Sequence, residues 1–435
     1  MRTFQCALLC AAALAGCATD HDEASPAAGG TDTAGGTDTG ATAAGADTTA
    51  AAAVSAGFVH RSGGTLIGND GKPLVMTGVN LGGWLLWEGW IMGGQIGLDL
   101  SRNAETQVYA GLVDLLGADA AAAFREQFRD AYITEADIAR IAQLGLNSVR
   151  VPFNHSLIET DDQPFQYSEA GFARLDDVVA WGEAHHVYVV LDLHAAPAGQ
   201  CDEFPDDPDS TLLWSKPLAQ WRTTALWKAV AARYKDRKWV AGYDLLNEPC
   251  NATGDQLRTM DQQITSAIRQ VDPHHLVIVE GNSAATDFTG FTQLLDANQA
   301  YSFHTYNFFG DDRATKFPVY AQLAAAQQVP LWAGEFGEAS EDYIHSTVEM
   351  FHDPQYRVTA GYALWTWKRA PNASPTMQTV AVPAAWSKVM KWITAPLLNA
   401  RPSAADAAIG AAQYLAAVAL ARCSQDDSLA AALQP

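Results

Sequence analysis

Between Val75 and Thr366 the chain repeats one pattern, a short apolar run followed by a longer stretch of helical periodicity. The runs are Val75–Asn80, Ser148–Pro152, Val187–His194, Gly242–Asn247, Leu276–Glu280, Tyr301–His304, Leu331–Gly334 and Gly361–Thr366. Each has the length and the Gly, Pro or polar bounds of a strand buried on both faces. Strands of this kind alternating with amphipathic helices make a parallel sheet. Eight of them predict an α/β fold of the (β/α)8 TIM-barrel type with loop insertions. An open doubly wound sheet is the alternative, but no Gly-rich phosphate loop follows the first run.

The connecting segments carry their own signals. From Glu135 to Leu144, Ile138, Ile141 and Leu144 share one face, Thr134 is an N-cap with Asp137 three residues on, and Gly145 follows the end. The stretch from Gly97 to Tyr132 is long for a first connection and predicts a helix of its own, from Ala104 to Leu116. Ahead of the first run, Phe58 to Leu74 reads as a small N-terminal hairpin turning at Asn69–Lys72. Beyond the last, Ala404 to Leu420 is Ala-rich and helical in pattern.

The beginning of the chain does not read as fold. A basic Met1-Arg2 leads into an apolar run, Phe4 to Leu14, that is too short to span a bilayer. It ends in Leu14-Ala15-Gly16-Cys17, which resembles a bacterial lipoprotein signal cleaved before Cys17 with lipid on that sulfur. An ordinary secretory signal, cut slightly later, is the alternative. Residues 18–56 are Ala, Thr, Gly and Asp with almost no large apolar side chain, too little to offset the entropy of ordering, and read as a flexible tether. The expected organisation is a signal over 1–17, a tether over 18–56, a barrel over 57–422 and a tail over 423–435. The expected location is the outer membrane or cell surface through a lipid anchor, or secretion.

Lys and Arg number 27 against 49 Asp and Glu, a formal net charge of −22. Nucleic acid and anionic lipid both need a basic face, so this balance argues against them and suits a neutral ligand. The 13 tryptophans fit that reading, since an exposed indole stacks on the face of a sugar, although about half are expected as core filler. Of six cysteines, Cys6 and Cys10 leave with the signal. Of the remainder, Cys201 and Cys250 each follow a predicted strand closely on one rim, which makes them the candidate disulfide and leaves Cys423 free.

In a parallel barrel, chemistry gathers at the C-terminal ends of the strands. Here those ends carry Asn80, Arg150, His194, Asn247, Glu248, His304, Tyr306, Glu335 and Trp365. Glu248 closes Gly242-Tyr-Asp-Leu-Leu-Asn-Glu-Pro249, and Glu335 lies in Pro330-Leu-Trp-Ala-Gly-Glu-Phe-Gly337. Carboxylates emerging from buried strands at one mouth suit the acid and nucleophile of glycoside hydrolysis.

The motifs Gly78-Val-Asn-Leu-Gly-Gly-Trp84, Leu144-Gly-Leu-Asn-Ser-Val-Arg-Val-Pro152, Leu191-Asp-Leu-His-Ala-Ala-Pro197, Leu245-Leu-Asn-Glu-Pro249, His304-Thr-Tyr306, Gly334-Glu335 and Leu364-Trp-Thr-Trp-Lys368 resemble glycoside hydrolase family 5. That is a retaining (β/α)8 family of cellulases, β-1,3-glucanases and mannanases. The opening motif and Phe128-Arg-Asp-Ala-Tyr-Ile-Thr-Glu135 resemble its exo-β-1,3-glucanase branch.

The resemblance implies Glu248 as general acid/base and Glu335 as nucleophile, with Arg150 and Tyr306 supporting Glu335. It places Asn247 at the sugar 2-hydroxyl, His194 and His304 along the same sugar site, and Trp365 beneath it, with Trp367 as a second aromatic. Glu88 matches a carboxylate that exo-acting relatives use to grip a terminal glucose. The segment Cys201-Asp-Glu-Phe-Pro-Asp-Asp207 departs from the branch pattern, with Phe204 as a remaining clamp. The chemistry asks for a protonated Glu248, which apolar walls and the charge of Glu335 would favour, and carboxyl groups about 5–5.5 Å apart.

The expected substrate is a neutral β-glucan, β-1,3-linked ahead of β-1,4-linked, with β-mannan as an alternative. No cofactor is expected. The pairs His185-His186 and His274-His275 lack metal-ligand spacing, so no metal is expected either. A monomer is expected. The rival from another class is a glycan-binding surface lipoprotein without catalysis.

Overall fold

The computed structural model describes residues 57–208, 212–308 and 310–433. The signal-like segment with Cys17 and the tether lie outside the described residues. Eight parallel strands close into a barrel: β1 (Met76–Asn80), β2 (Ser148–Asn154), β3 (Tyr188–Ala195), β4 (Val240–Asp244), β5 (Leu276–Glu280), β6 (Gln299–Thr305), β7 (Leu331–Gly337) and β8 (Gly361–Trp365). Their order around the barrel is their order in the chain, with β8 paired back to β1. All eight expected runs are strands. The fourth lies earlier than expected: it begins at Val240 and stops at Asp244, so Leu245 to Glu248 form a turn beyond the sheet rather than strand.

Strand β7 carries an irregularity where chemistry is expected. Its register slips between Ala333 and Glu335 against β6, and between Ala333 and Phe336 against β8. Such a bulge re-aims the side chain that follows it. Gly334 permits the slip, because a Cβ there would stand 2.3 Å from Ser302 Oγ.

The long first connection holds two helices, α1 (Glu105–Leu116) and α2 (Ala118–Tyr132), where one was expected. Gly117, at φ 83°, makes the turn between them. They are bound to the barrel by an aromatic cluster in which Phe128 packs on Trp87 and Tyr132, and Trp386 stacks on Phe124 and Tyr414. Burying rings of this size is a large favourable term. Next, α3 (Glu135–Gln143) begins as predicted: Asp137 accepts the Thr134 N–H at 2.9 Å.

At the opposite mouth, a three-stranded meander (His60–Ser62, Thr65–Ile67, Pro73–Leu74) replaces the simple hairpin expected. Its Leu66, with Val59, joins a buried cluster that includes Met76, Val190, Leu276 and Trp332 and plugs that end of the barrel. The C-terminal segment, expected as a tail from Cys423 onward, folds back onto the body. Ser424–Gln425 pairs with Gln378–Thr379, and Leu433 accepts the Tyr362 hydroxyl at 2.9 Å. The cause is apolar burial, since Leu429 and Leu433 are both fully covered. No helix among the described residues is long and apolar enough to cross a membrane.

Candidate active site

The strand ends converge on Arg150. This β2 residue is fully buried, and its guanidinium reaches four carboxylates: Asp192 at 3.1 Å, Asp244 at 2.8 Å, Glu280 at 3.0 Å and Glu335 at 2.5 Å. It also donates to Asn247 Oδ1 at 2.9 Å and Asn80 Oδ1 at 3.2 Å. A planar fork with five donors suits this arrangement, and each acid compensates part of the charge burial. Sequence reading missed Asp192, Asp244 and Glu280, although each is an acidic residue inside an apolar run, which was the available signal. Burial and the charge of Glu280 push Asp244 up to about 8 against the pull of Arg150.

Glu335, on β7, is held at both oxygens. Arg150 Nη1 donates to Oε1, and the Tyr306 hydroxyl donates to Oε2 at 2.7 Å. Glu248 stands beyond the end of β4 with φ 44°, a left-handed conformation that non-glycine residues rarely adopt. Its N–H donates to Glu280 Oε2 at 2.7 Å. Its Oε1 receives His304 Nδ1 at 2.7 Å, and His304 Nδ1 is also 3.6 Å from Glu335 Oε2. Oxygens of Glu248 and Glu335 therefore approach within 4.8 Å of one another.

The electrostatics depart from the expectation for Glu248. Burial does act to raise its carboxyl, but the hydrogen bond from His304 and the charges of His304, His194 and Arg150 outweigh burial and hold it below the usual carboxylate range. His304 moves the other way. Burial opposes its charge, yet Glu280, Glu335 and the bond to Glu248 lift it well above the usual histidine range. The two shifts run in opposite directions because each group faces the other across one hydrogen bond at 2.7 Å.

The remaining expected residues line the same mouth. Trp365, at the end of β8, stacks on His194 with ring centroids 5.4 Å apart, and His194 Nδ1 pairs with Asp192 at 2.7 Å. Asn247 turns its Nδ2 to no partner among the described residues. Glu88 is buried, takes the Trp90 indole N–H at 2.7 Å, and has a second oxygen without a partner among the described residues. Burial is the main reason its carboxyl is pushed up to about 7, against the pull of His194 and Trp90. All of these except Asn247 line a cleft of about 1750 Å³, which also takes in Glu248, Glu335, Tyr306, Phe308 and Phe204.

Trp367 is a correction. It is fully buried and donates its indole N–H to Asp137 at 2.9 Å, away from the cleft. It lies two residues past the end of β8, in a segment that turns towards α3.

Cys201 and Cys250 form a disulfide with Cα atoms 4.7 Å apart. It joins the loop after β3 to the one bearing Glu248. Beside it, Gln200 Nε2 donates to the carbonyls of His194 and Asn247, both at 2.8 Å, and to the buried Asp206. The histidine pairs serve structure: His185 meets Glu135 at 3.1 Å, and His275 meets Asp272 at 2.6 Å. Among the described residues, Glu248, His304 and Glu335 come near enough to share a metal ion. The Arg150 guanidinium already occupies one Glu335 oxygen, and its charge opposes a second cation there.

Residues 115–371 match the family model described as cellulase (glycosyl hydrolase family 5). A β-xylosidase of Phanerodontia chrysosporium is 32% identical over 322 residues, 69% of this chain and 66% of its own length. A probable glucan 1,3-beta-glucosidase A of Aspergillus clavatus is 29% identical over 264 residues, 58% of this chain and 60% of its own. The chain thus spans somewhat under two thirds of the length of these relatives. A Thermotoga maritima Cel5A structure in complex with cellobiose shares the fold, with TM-score 0.53, 16% identity, and coverage of 82% of this chain and 98% of that one. The family model spans more than half of the chain and both central glutamates, and the chain belongs to glycosyl hydrolase family 5.

Proposed function

We propose that this chain is a retaining β-glycosidase that cleaves glucosidic bonds of a neutral β-glucan, with Glu335 as nucleophile and Glu248 as acid and base. The observation that carries this reading is the approach of the two carboxylates within 4.8 Å, close to the separation of about 5–5.5 Å that direct attack requires. An inverting enzyme needs a wider gap to admit water between carboxylate and sugar.

In the first step Glu335 attacks the anomeric carbon while the proton shared by Glu248 and His304 passes through Glu248 to the departing oxygen. Arg150 and Tyr306 hold the attacking carboxylate in line. Once the glycosyl ester forms, the charge of Glu335 is gone and Glu248 takes a proton from the incoming water. Asn247 Nδ2, without a partner among the described residues, is the donor for the sugar 2-hydroxyl, and Trp365 is the face on which the ring stacks. Glu88, with one unpartnered oxygen, is the acceptor for hydroxyls at the far end of that ring.

The substrate reading favours β-1,3-linked glucose, with β-1,4-linked glucose close behind. It rests on the opening motif, on Glu88 and Trp90 in the cleft wall, and on the relative named as a glucan 1,3-beta-glucosidase. The relative named as a β-xylosidase makes xylosides a necessary comparison. Product profiles over time on laminarin, barley β-glucan, carboxymethylcellulose, mannan and aryl β-xylosides test it. Early glucose from laminarin supports the reading. A ladder of oligomers from carboxymethylcellulose with nothing from laminarin overturns the linkage, and no hydrolysis of any of them supports the glycan-binding alternative. We also propose export and lipid anchoring at Cys17, on the signal motif alone. Mass analysis of the mature N-terminus tests that, a free amine downstream of Cys17 overturning it.

A further inference from the structure

We propose that Glu280 is the positioning residue for the acid/base half of this site, fixing the backbone of Glu248 and, across His304, the proton that Glu248 delivers. The inference rests on the assignment of Glu248 as proton donor. Glu280 ends β5, is 2% exposed, and spends its two oxygens on three neighbours. Oε2 takes the Glu248 N–H at 2.7 Å. Oε1 lies 3.0 Å from Arg150 Nη2 and 3.1 Å from His304 Nε2. The His304 contact is an ion pair.

Two consequences follow from this geometry. A left-handed Glu248 has to be held by its surroundings, and the side-chain acceptor on its N–H is Glu280. The His304 ring, in turn, stands between two carboxylates, with Glu280 at Nε2 and Glu248 at Nδ1. A negative charge at Nε2 keeps a hydrogen on that nitrogen and presents Nδ1 to Glu248, as an outer carboxylate orients a catalytic imidazole. Glu280 thereby acts on the proton without touching the sugar.

Other charged groups face this pair. They are Glu335 on β7, Arg150 on β2, His194 on β3, Asp206 on the following loop, Asp244 on β4, Asp261 on the helix between β4 and β5, and Tyr306 after β6. All of them remain in a Glu280→Gln variant. Removing one negative charge lowers the affinity of the Glu248–His304 pair for its shared proton, so the alkaline limb of kcat/KM moves to lower pH.

The test compares phenyl and 2,4-dinitrophenyl β-glucosides, which differ in their need for a proton on the leaving oxygen. In Glu280→Gln, kcat/KM for the phenyl glucoside falls about tenfold or more, a part of the 10²–10⁴ that general acid catalysis supplies, while the dinitrophenyl value falls far less. The alkaline limb shifts down by about one unit. Equal losses on both substrates, or an unmoved limb, overturn the proposal.

Should Glu280→Gln fail to fold, Glu280→Asp carries the test. It keeps the charge but shortens the reach, so the limb stays in place while phenyl turnover drops. An unchanged ratio of the two substrates in that variant also overturns it. Glu248→Ala is run alongside. If it discriminates between the substrates and the Glu280 variants do not, only this proposal falls; if Glu248→Ala does not discriminate, the acid assignment falls and this one with it.

Discussion

Across the barrel mouth, the Arg150 guanidinium on β2 meets the Glu335 carboxylate on β7 at 2.5 Å. The same guanidinium pairs with Asp192, Asp244 and Glu280, so one cation joins Glu335 to the residues that surround Glu248. A site with this many acids is stable only while that fork is in place.

Arg150→Lys keeps the charge and loses the fork. The four buried acids around it then lack part of their pairing, and the variant is expected to lose about 3 kcal/mol or more of unfolding free energy, together with most turnover. Urea unfolding with parallel kinetics measures both. Wild-type stability in the lysine variant would show that a single charge suffices.

Glu335→Ala is expected to abolish turnover of every substrate, since both steps of the proposed double displacement pass through that carboxylate. Glu248→Ala is expected to lose about 10²–10⁴ on poor leaving groups and to keep activity on activated aryl glycosides. Equal loss on both substrate types in Glu248→Ala contradicts the division of roles.

Glu88 ties stability to pH. Its carboxyl stands at about 7 against an ordinary 4.5, so the fold favours the protonated form. Its contribution is intact below the unfolded value and is lost as pH climbs through about 7. A shift of that size corresponds to about 3 kcal/mol. Glu88→Gln, which does not titrate, should therefore gain on the wild type by about 2–3 kcal/mol between about pH 4 and pH 8, while binding the sugar more weakly. Denaturant midpoints at the two pH values check the first effect; a constant difference between the proteins refutes it.

The disulfide lies two residues from Glu248 along the chain and closes a loop of 49 residues. Cys201→Ser/Cys250→Ser should lower stability by about 2–4 kcal/mol. It should also slow poor leaving groups more than activated ones, because the freed loop is the one that carries Glu248, the proposed acid. Turnover that is unchanged in the double variant would mean that Glu280 and Gln200 hold Glu248 without help.

Much of the scaffold was legible because buried parallel strands leave a coarse mark. Runs such as Val187–His194 and Leu331–Gly334 are apolar on both faces and bounded by breakers, and the helix start at Thr134 was written in its Asp137. The edges were less legible. Strand β4 stops three residues before Asn247: Leu245 and Leu246 continue the apolar run in the sequence, but the backbone leaves the sheet there and is left-handed at Glu248. Trp365 and Trp367 look alike in sequence; the turn after β8 sends one to the cleft and the other against Asp137.

By itself the sequence determined the barrel, the rim and the two glutamates, because burial periodicity and residue type are local properties. Only the tertiary structure decided which acids surround Arg150, which groups face the Glu248–His304 pair and what holds Glu248. Those depend on distances between β2, β3, β4, β5, β6 and β7, on residues from 24 (Glu280 and His304) to 185 (Arg150 and Glu335) positions apart, whose charges alter one another only once the barrel brings them within a few ångströms in a site with little water.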